Sequence, residues 1–113
     1  MLSILIPVYN FDVIELVENL DSQARKAKID FEIIVIDDAS EEKYKTGNRI
    51  IRKIQNIKYF EGRKNLGRSR IRNKLADLSS YPYLLFIDCD SKVQNNDYIR
   101  KYVLTDTNRI LFD

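Results

Sequence analysis

Apolar residues in this chain fall into short unbroken runs, separated by longer stretches in which they recur every three or four positions. The runs cover residues 2–7, 31–37 and 83–88, and each is halted by Pro or Asp. Continuous runs of strand length point to strands buried on both faces, as in a parallel sheet covered by helices. Between the first two, Val13, Val17, Leu20 and Ala24 form one helical stripe, with Asp12 placed to cap it. Ile50, Ile51 and Ile54 predict a second helix over roughly 42–54, and residues 56–60 a short edge strand. A third helix is predicted from about Gly67 to Leu78, with Ile71, Leu75 and Leu78 facing inward, and a fourth over 97–103. The tail 109–113 begins another strand. The order β-α-β-α-β-α-β-α-β predicts an α/β fold, an open and mostly parallel sheet with helices on both faces and right-handed crossovers.

Composition narrows the class. The 113 residues suit one domain, and 44% hydrophobic with 32% charged residues is the profile of an ordinary globular protein. A net charge of +2 is too mild for a chain built to coat nucleic acid, and no second basic patch with interleaved aromatics supports RNA binding, so no nucleic-acid partner is expected. One cysteine excludes an internal disulfide and suits a reducing cytoplasm. The apolar runs are of strand length, too short to span a membrane. The opening Met1–Ile6 runs straight into Pro7 without a basic leader, so it reads as a first strand and not a signal peptide. The closing run Ile110–Phe112 reads as a strand cut short, which makes this chain an expected part of a longer protein.

In an open parallel sheet, ligands bind beyond the carboxyl ends of the strands. The residues found there are Pro7-Val8-Tyr9-Asn10, Asp37-Asp38-Ala39-Ser40 and Asp88-Cys89-Asp90-Ser91, joined by the basic stretch 63–72 that opens the third helix. Asp88 and Asp90 can both reach one site if the backbone turns between them. Hard cations such as Mg²⁺ or Mn²⁺ take such oxygens and share them with substrate phosphates. A turn capped by Asp explains the same pair without a metal. Asp37-Asp38 offers a carboxylate that could accept from a base N–H, or simply a cap for the next helix. Tyr9 offers a face for stacking a base, or is an ordinary half-buried aromatic. Arg68 and Arg72 fall on one helix face near a glycine, an arrangement suited to phosphate, although solvated charge explains most such runs.

Four pieces in this order resemble the inverting family-two glycosyltransferases of the GT-A fold. They are Ser3–Asn10, Phe31–Ser40, Asn65–Asn73 and Phe86–Asp90, which together span most of the chain. The resemblance implies a Rossmann-like, sugar-nucleotide-binding portion of such a domain. It implies that Pro7, Val8, Tyr9 and Asp38 line the base pocket, with Asp37 the less certain of the acidic pair. Asp88 would lie near the ribose and diphosphate, and Asp90 would ligate Mn²⁺ or Mg²⁺. The family's usual Ala-Arg-Asn is here Ile71-Arg72-Asn73. Ser91 stands where many members carry a further acid, which leaves the principal metal ligand open between Asp88 and Asp90.

What the resemblance implies for function is transfer of a sugar, with inversion, from a nucleotide-diphosphate donor, UDP first among them, to a glycan or lipid-linked acceptor. The acceptor half and the catalytic base are expected beyond Asp113. The full-length protein is expected in the cytoplasm, with peripheral association at the inner face of the cell membrane. Residues 84–90 also look like the nucleophile motif of haloacid-dehalogenase-type phosphatases, with Asp88 as nucleophile and Asp90 as acid/base. That family opens with this motif and needs a Lys and further acids well downstream. A phosphoacceptor receiver domain carries its acidic pair after its first strand, where this chain has Pro7-Val8-Tyr9-Asn10. A non-catalytic nucleotide-binding module is the third alternative. The 113 residues alone are expected to bind donor without transferring it. Sugar transfer by this chain in a purified assay would overturn that expectation.

Overall fold

The structure, a computed structural model, describes residues 1–91, Ile99 and the backbone of Leu111–Phe112. Its elements are β1 (Leu2–Val8), α1 (Ile14–Lys26), β2 (Phe31–Asp37), α2 (Glu42–Asn48), a 3-10 turn (Arg49–Lys53), β3 (Ile57–Glu61), α3 (Arg68–Leu78), β4 (Tyr83–Phe86) and β5 (Leu111–Phe112). The five strands form one sheet in the order β3-β2-β1-β4-β5, and every pairing is parallel. The expected α/β fold is therefore the observed one. The expected helix over 97–103 lies outside the described residues, apart from Ile99, which is buried in the core.

Strand alternation divides the core into two layers. Ile4, Ile6 and Val8 of β1, Ile33 and Val35 of β2 and Leu85 of β4 point to the face covered by α1 and the 3-10 turn. Leu5, Ile34, Ile36 and Phe86 point to the opposite face, against Ile71 and Leu75 of α3. Both faces are covered, so successive positions along a strand are all apolar, which is what makes the runs unbroken. The predicted stripe on α1 is fully buried at Val13, Val17, Leu20 and Ala24. Each larger member contributes about 1.5–3 kcal/mol by leaving water. The N-cap is Val13 and not Asp12 as expected; Asp12 stands one residue earlier, where its Oδ1 accepts the Ile14 N–H at 3.0 Å.

Three further predicted details shift. The second helix is α-helical only to Asn48 and then tightens to a 3-10 turn. With three residues per turn, Ile51 and Ile54 eclipse on the inner side while Ile50 rotates outward and is 53% exposed. Asn48 is buried where the helix tightens, because its side chain donates to Phe11 O at 2.7 Å and accepts from Val13 N–H at 3.0 Å. Leu78 closes α3 where the chain leaves in an extended conformation, and it is 41% exposed instead of inward. The strand expected over 83–88 stops at Phe86, although Ile87 stays buried and donates to Leu5 O at 3.0 Å.

At the amino edge of the sheet, Glu32 is buried among three donors. Its Oε2 accepts from Ser3 Oγ at 2.7 Å and Ser80 N–H at 2.6 Å, and its Oε1 pairs with Lys58 Nζ at 3.0 Å. One carboxylate thus joins β1, β3 and the entry to β4. Burial alone would raise its pKa, but the hydrogen bonds from Ser3, Ser80 and Lys58 outweigh it and hold the carboxyl below its usual value. A folded-state pKa below the unfolded one means that the unfolded chain takes up the proton first. The stabilisation is then fully present above the ordinary glutamate range and is lost as pH falls below that range through the lowered, folded-state pKa. We expect Glu32→Gln to cost about 1–3 kcal/mol in urea unfolding at pH 7. The gap from wild type should shrink as the pH is lowered towards the acid range.

Candidate functional site

Chain order reverses at β1: β2 and β3 build outward on one side, β4 and β5 on the other. At such a switch point the loops leaving neighbouring strands diverge and open a crevice. A cleft of about 600 Å³ lies there, lined by Pro7, Val8, Tyr9 and Phe11 after β1, by Asp38 after β2, by Asn65, Gly67, Arg68 and Ile71 at the start of α3, and by Asp88, Cys89 and Asp90 after β4. That size suits a small-molecule ligand.

Three loops are tied together before any ligand arrives. Asp37 is fully buried, and its two oxygens accept from Ser40 N–H at 2.8 Å and Ser40 Oγ at 2.6 Å. Ser40 Oγ in turn accepts the Asn10 N–H at 2.8 Å, and Asn10 Oδ1 accepts the Glu41 N–H at 2.8 Å. Ala39 adopts a left-handed backbone with φ of 62°, which folds Ser40 back onto Asp37. Asp38 faces the other way. Its Oδ1 accepts the Leu66 N–H at 2.7 Å, and its Oδ2 the Gly67 N–H at 3.0 Å. Gly67 takes φ of 87°, a conformation that favours glycine, just before α3 begins.

Of the residues expected at the site, Pro7, Val8, Tyr9, Asp38, Arg68, Asp88 and Asp90 line the cleft. Asp37 lies behind it. Arg72 lies at its back, with Nη2 3.4 Å from Asp88 Oδ1 and its guanidinium 5.8 Å over the Phe86 ring. Tyr9 is 54% exposed, so its ring is open to a planar ligand. Phe11, Asn65 and Cys89 also line the cleft, and the sequence assigns none of them a role, although Asn65 and Cys89 lie within the pieces that carry the resemblance. The signal for Phe11 is its place directly after the Pro7–Asn10 loop. The role of Asn65 is tertiary: its Nδ2 donates to Asp38 O at 3.1 Å.

The backbone does turn after β4, with Ser91 N–H donating to Asp88 O at 3.0 Å, and this brings both acids to the cleft. Their surroundings differ. Asp88 meets Arg68 Nη2 at 3.3 and 3.2 Å and Arg72 Nη2 at 3.4 Å. Asp90 is exposed and has no hydrogen bond or ion pair among the described residues. No group of three or more His, Cys, Asp or Glu side chains that could hold a metal occurs among the described residues. Asp88 and Asp90 offer carboxylate oxygens, the donor type that a hard cation takes. Burial pushes the Cys89 thiol pKa up, with the charges of Asp90 and Asp88 adding to the effect, which disfavours the thiolate.

A parallel sheet with a crevice at its switch point defines an open α/β domain built to take a ligand beyond its strand ends. The chain belongs to glycosyl transferase family 2, whose model matches residues 3–104. An uncharacterized glycosyltransferase of Rickettsia bellii (strain RML369-C) is 30% identical over 110 residues, covering 97% of this chain but 16% of that protein. The 1-349 segment of S. aureus TarS is 25% identical, with a TM-score of 0.75 over 90% of this chain and 31% of that one. It has also been solved in complex with UDP-GlcNAc. The mannosyltransferase PcManGT from Pyrobaculum calidifontis, in complex with GDP-Man and Mn²⁺, shares the fold at 18% identity, with a TM-score of 0.78 over 94% of this chain and 33% of that one. The chain thus spans a third or less of the length of each of these proteins.

Asp38→Asn leaves one oxygen where two are used and sets an amide donor against a backbone donor. We expect a loss of about 1–3 kcal/mol in stability. Amide exchange at Leu66 and Gly67 should also accelerate by roughly tenfold or more, while the amides of α1 change only with global stability.

Proposed function

We propose that this chain is the donor side of a glycosyltransferase, binding a nucleotide-diphosphate sugar in the switch-point cleft. The observation that carries this reading is the convergence of an open aromatic face, a helix start with arginines and two differently placed carboxylates on one crevice. Tyr9 would stack the base, with Pro7 and Val8 beneath it, and Asp38 would accept from a base N–H with the lone pairs its backbone donors leave open. Asp37 would act behind Asp38, holding the loop through Ser40. Arg68 and Arg72, with the first N–H groups of α3, would meet the diphosphate. Asp88 would lie towards the ribose and diphosphate, and Asp90 would be the more open of the two oxygen donors for Mn²⁺ or Mg²⁺. The cation, when bound, supplies charge stabilisation for a departing nucleoside diphosphate.

UDP is the first donor base to test, because the TarS segment at 25% identity has been solved with UDP-GlcNAc. We further propose inverting transfer to a glycan or lipid-linked acceptor, with the acceptor site and the general base supplied by residues outside this chain. The shares covered of the relatives, 16% and 31%, support that division. Among the described residues no helix is long and apolar enough to cross a membrane. We also propose that the full-length protein associates peripherally with the cytoplasmic face of a membrane.

Calorimetry with UDP, GDP and AMP, each with and without Mn²⁺, tests the reading. One diphosphate should bind in the micromolar to millimolar range, more tightly with Mn²⁺, and AMP should not. Tyr9→Ala should weaken that binding by about 1–3 kcal/mol, the usual worth of a base stacked on an aromatic. Absence of binding by both diphosphates in the presence of Mn²⁺ would remove the donor assignment.

A further inference from the structure

We propose that Arg68 is a movable counter-charge coupling cation to diphosphate: it neutralises Asp88 until nucleotide enters, then turns onto the phosphates and frees the Asp88 oxygens. The proposal rests on the donor-binding reading and assigns a mechanism to it.

The two arginines at Asp88 are not equivalent. Arg72 sits one helical turn into α3, is 26% exposed and has its guanidinium over the Phe86 ring. Its place is set by packing. Arg68 opens the helix, is 67% exposed and lines the cleft itself. A single nitrogen, Nη2, reaches both Asp88 oxygens, at 3.3 and 3.2 Å. This is not the two-nitrogen fork that makes arginine–carboxylate pairs durable. An exposed pair with so little geometry separates at small cost. The same guanidinium, swung on its four-bond stem, stays beside the α3 amino terminus, where phosphate oxygens are favoured.

Charge supplies the reason for a swap. Around Asp88 and Asp90 the two guanidinium groups offset the two carboxylates, while Asp38 across the cleft is engaged by the Leu66 and Gly67 N–H groups. A divalent cation arriving alone must compete with guanidinium groups for Asp88. A diphosphate arriving alone meets two carboxylates. Together they remove each other's obstacle: the phosphates draw Arg68 away, and the cation takes the exposed oxygens. Such coupling is reciprocal, so each ligand must tighten the other by the same factor.

The test is a thermodynamic cycle on the 113-residue chain, with Mn²⁺ alone, UDP alone and both together, and GDP run in parallel. Bound Mn²⁺ is read independently by its electron paramagnetic resonance signal. In the wild type, Mn²⁺ and the diphosphate should each raise the affinity of the other by about tenfold or more. In Arg68→Gln, Mn²⁺ alone should bind several-fold tighter, the diphosphate alone should bind more weakly, and the mutual factor should fall about fivefold or more. Arg68→Lys keeps the charge and should recover part of the factor. Arg68 is mostly exposed, so the variants should unfold at the wild-type temperature. An unchanged coupling factor in Arg68→Gln, or nucleotide-free Mn²⁺ affinity that does not rise, overturns the proposal while the donor site stands. Failure of the wild type to bind either diphosphate with Mn²⁺ overturns both.

Discussion

The carboxylate of Asp38 accepts the N–H groups of Leu66 and Gly67, residues that local structure alone would leave far from the end of β2. Much of the cleft depends on that bridge. It fixes where α3 begins, and α3 carries Arg68 and Arg72 to the carboxylate after β4. It also holds Gly67 in the left-handed conformation from which the helix starts. A buried acid is costly unless its oxygens are filled, so this arrangement is rigid for the same reason that it is necessary. Asp37, its neighbour in sequence, meets the same requirement in another direction, through Ser40 to Asn10.

Two adjacent acids therefore secure two different loops, and the cleft is preorganised by groups that mostly do not face it. Pre-ordered loops reduce the entropy lost when a ligand is bound. The parts of the rim that remain open are the exposed face of Tyr9, the loosely paired Arg68 and Asp90, which has no partner among the described residues. Bonded loops behind and open side chains in front is the division expected of a binding crevice on a packed sheet. Family membership agrees with it, and the proposed donor chemistry draws on those exposed groups.

The strands and their burial were legible because a sheet covered on both faces leaves its mark at every position, as in Ile33–Ile36. The α1 stripe was equally clear. Boundaries were less so. Ile50 was expected inside because helical spacing was assumed to continue past Asn48, where a side chain bonded to Phe11 and Val13 instead accompanies a tighter turn. Leu78 fits the α3 stripe by spacing, but the stripe runs out where the helix ends. At the cleft, residue types at strand ends nominated most of the lining. Asn65 and Cys89 lie within the matching pieces, but an amide and a thiol take no definite role until the fold surrounds them.

The sequence by itself determined the fold class, the strand-end position of each polar cluster and the family, because periodicity and short motifs are properties of contiguous residues. Only the tertiary structure decided what each acid is for. Asp37 and Asp38 are indistinguishable as letters, yet one is sealed behind the loop by Ser40 and the other spans to α3 at the cleft wall. Asp88 and Asp90 are likewise alike in sequence, but one meets two guanidinium groups and the other meets solvent. Those differences arise from neighbours distant in the chain, and electrostatic environment is set by such neighbours, not by composition.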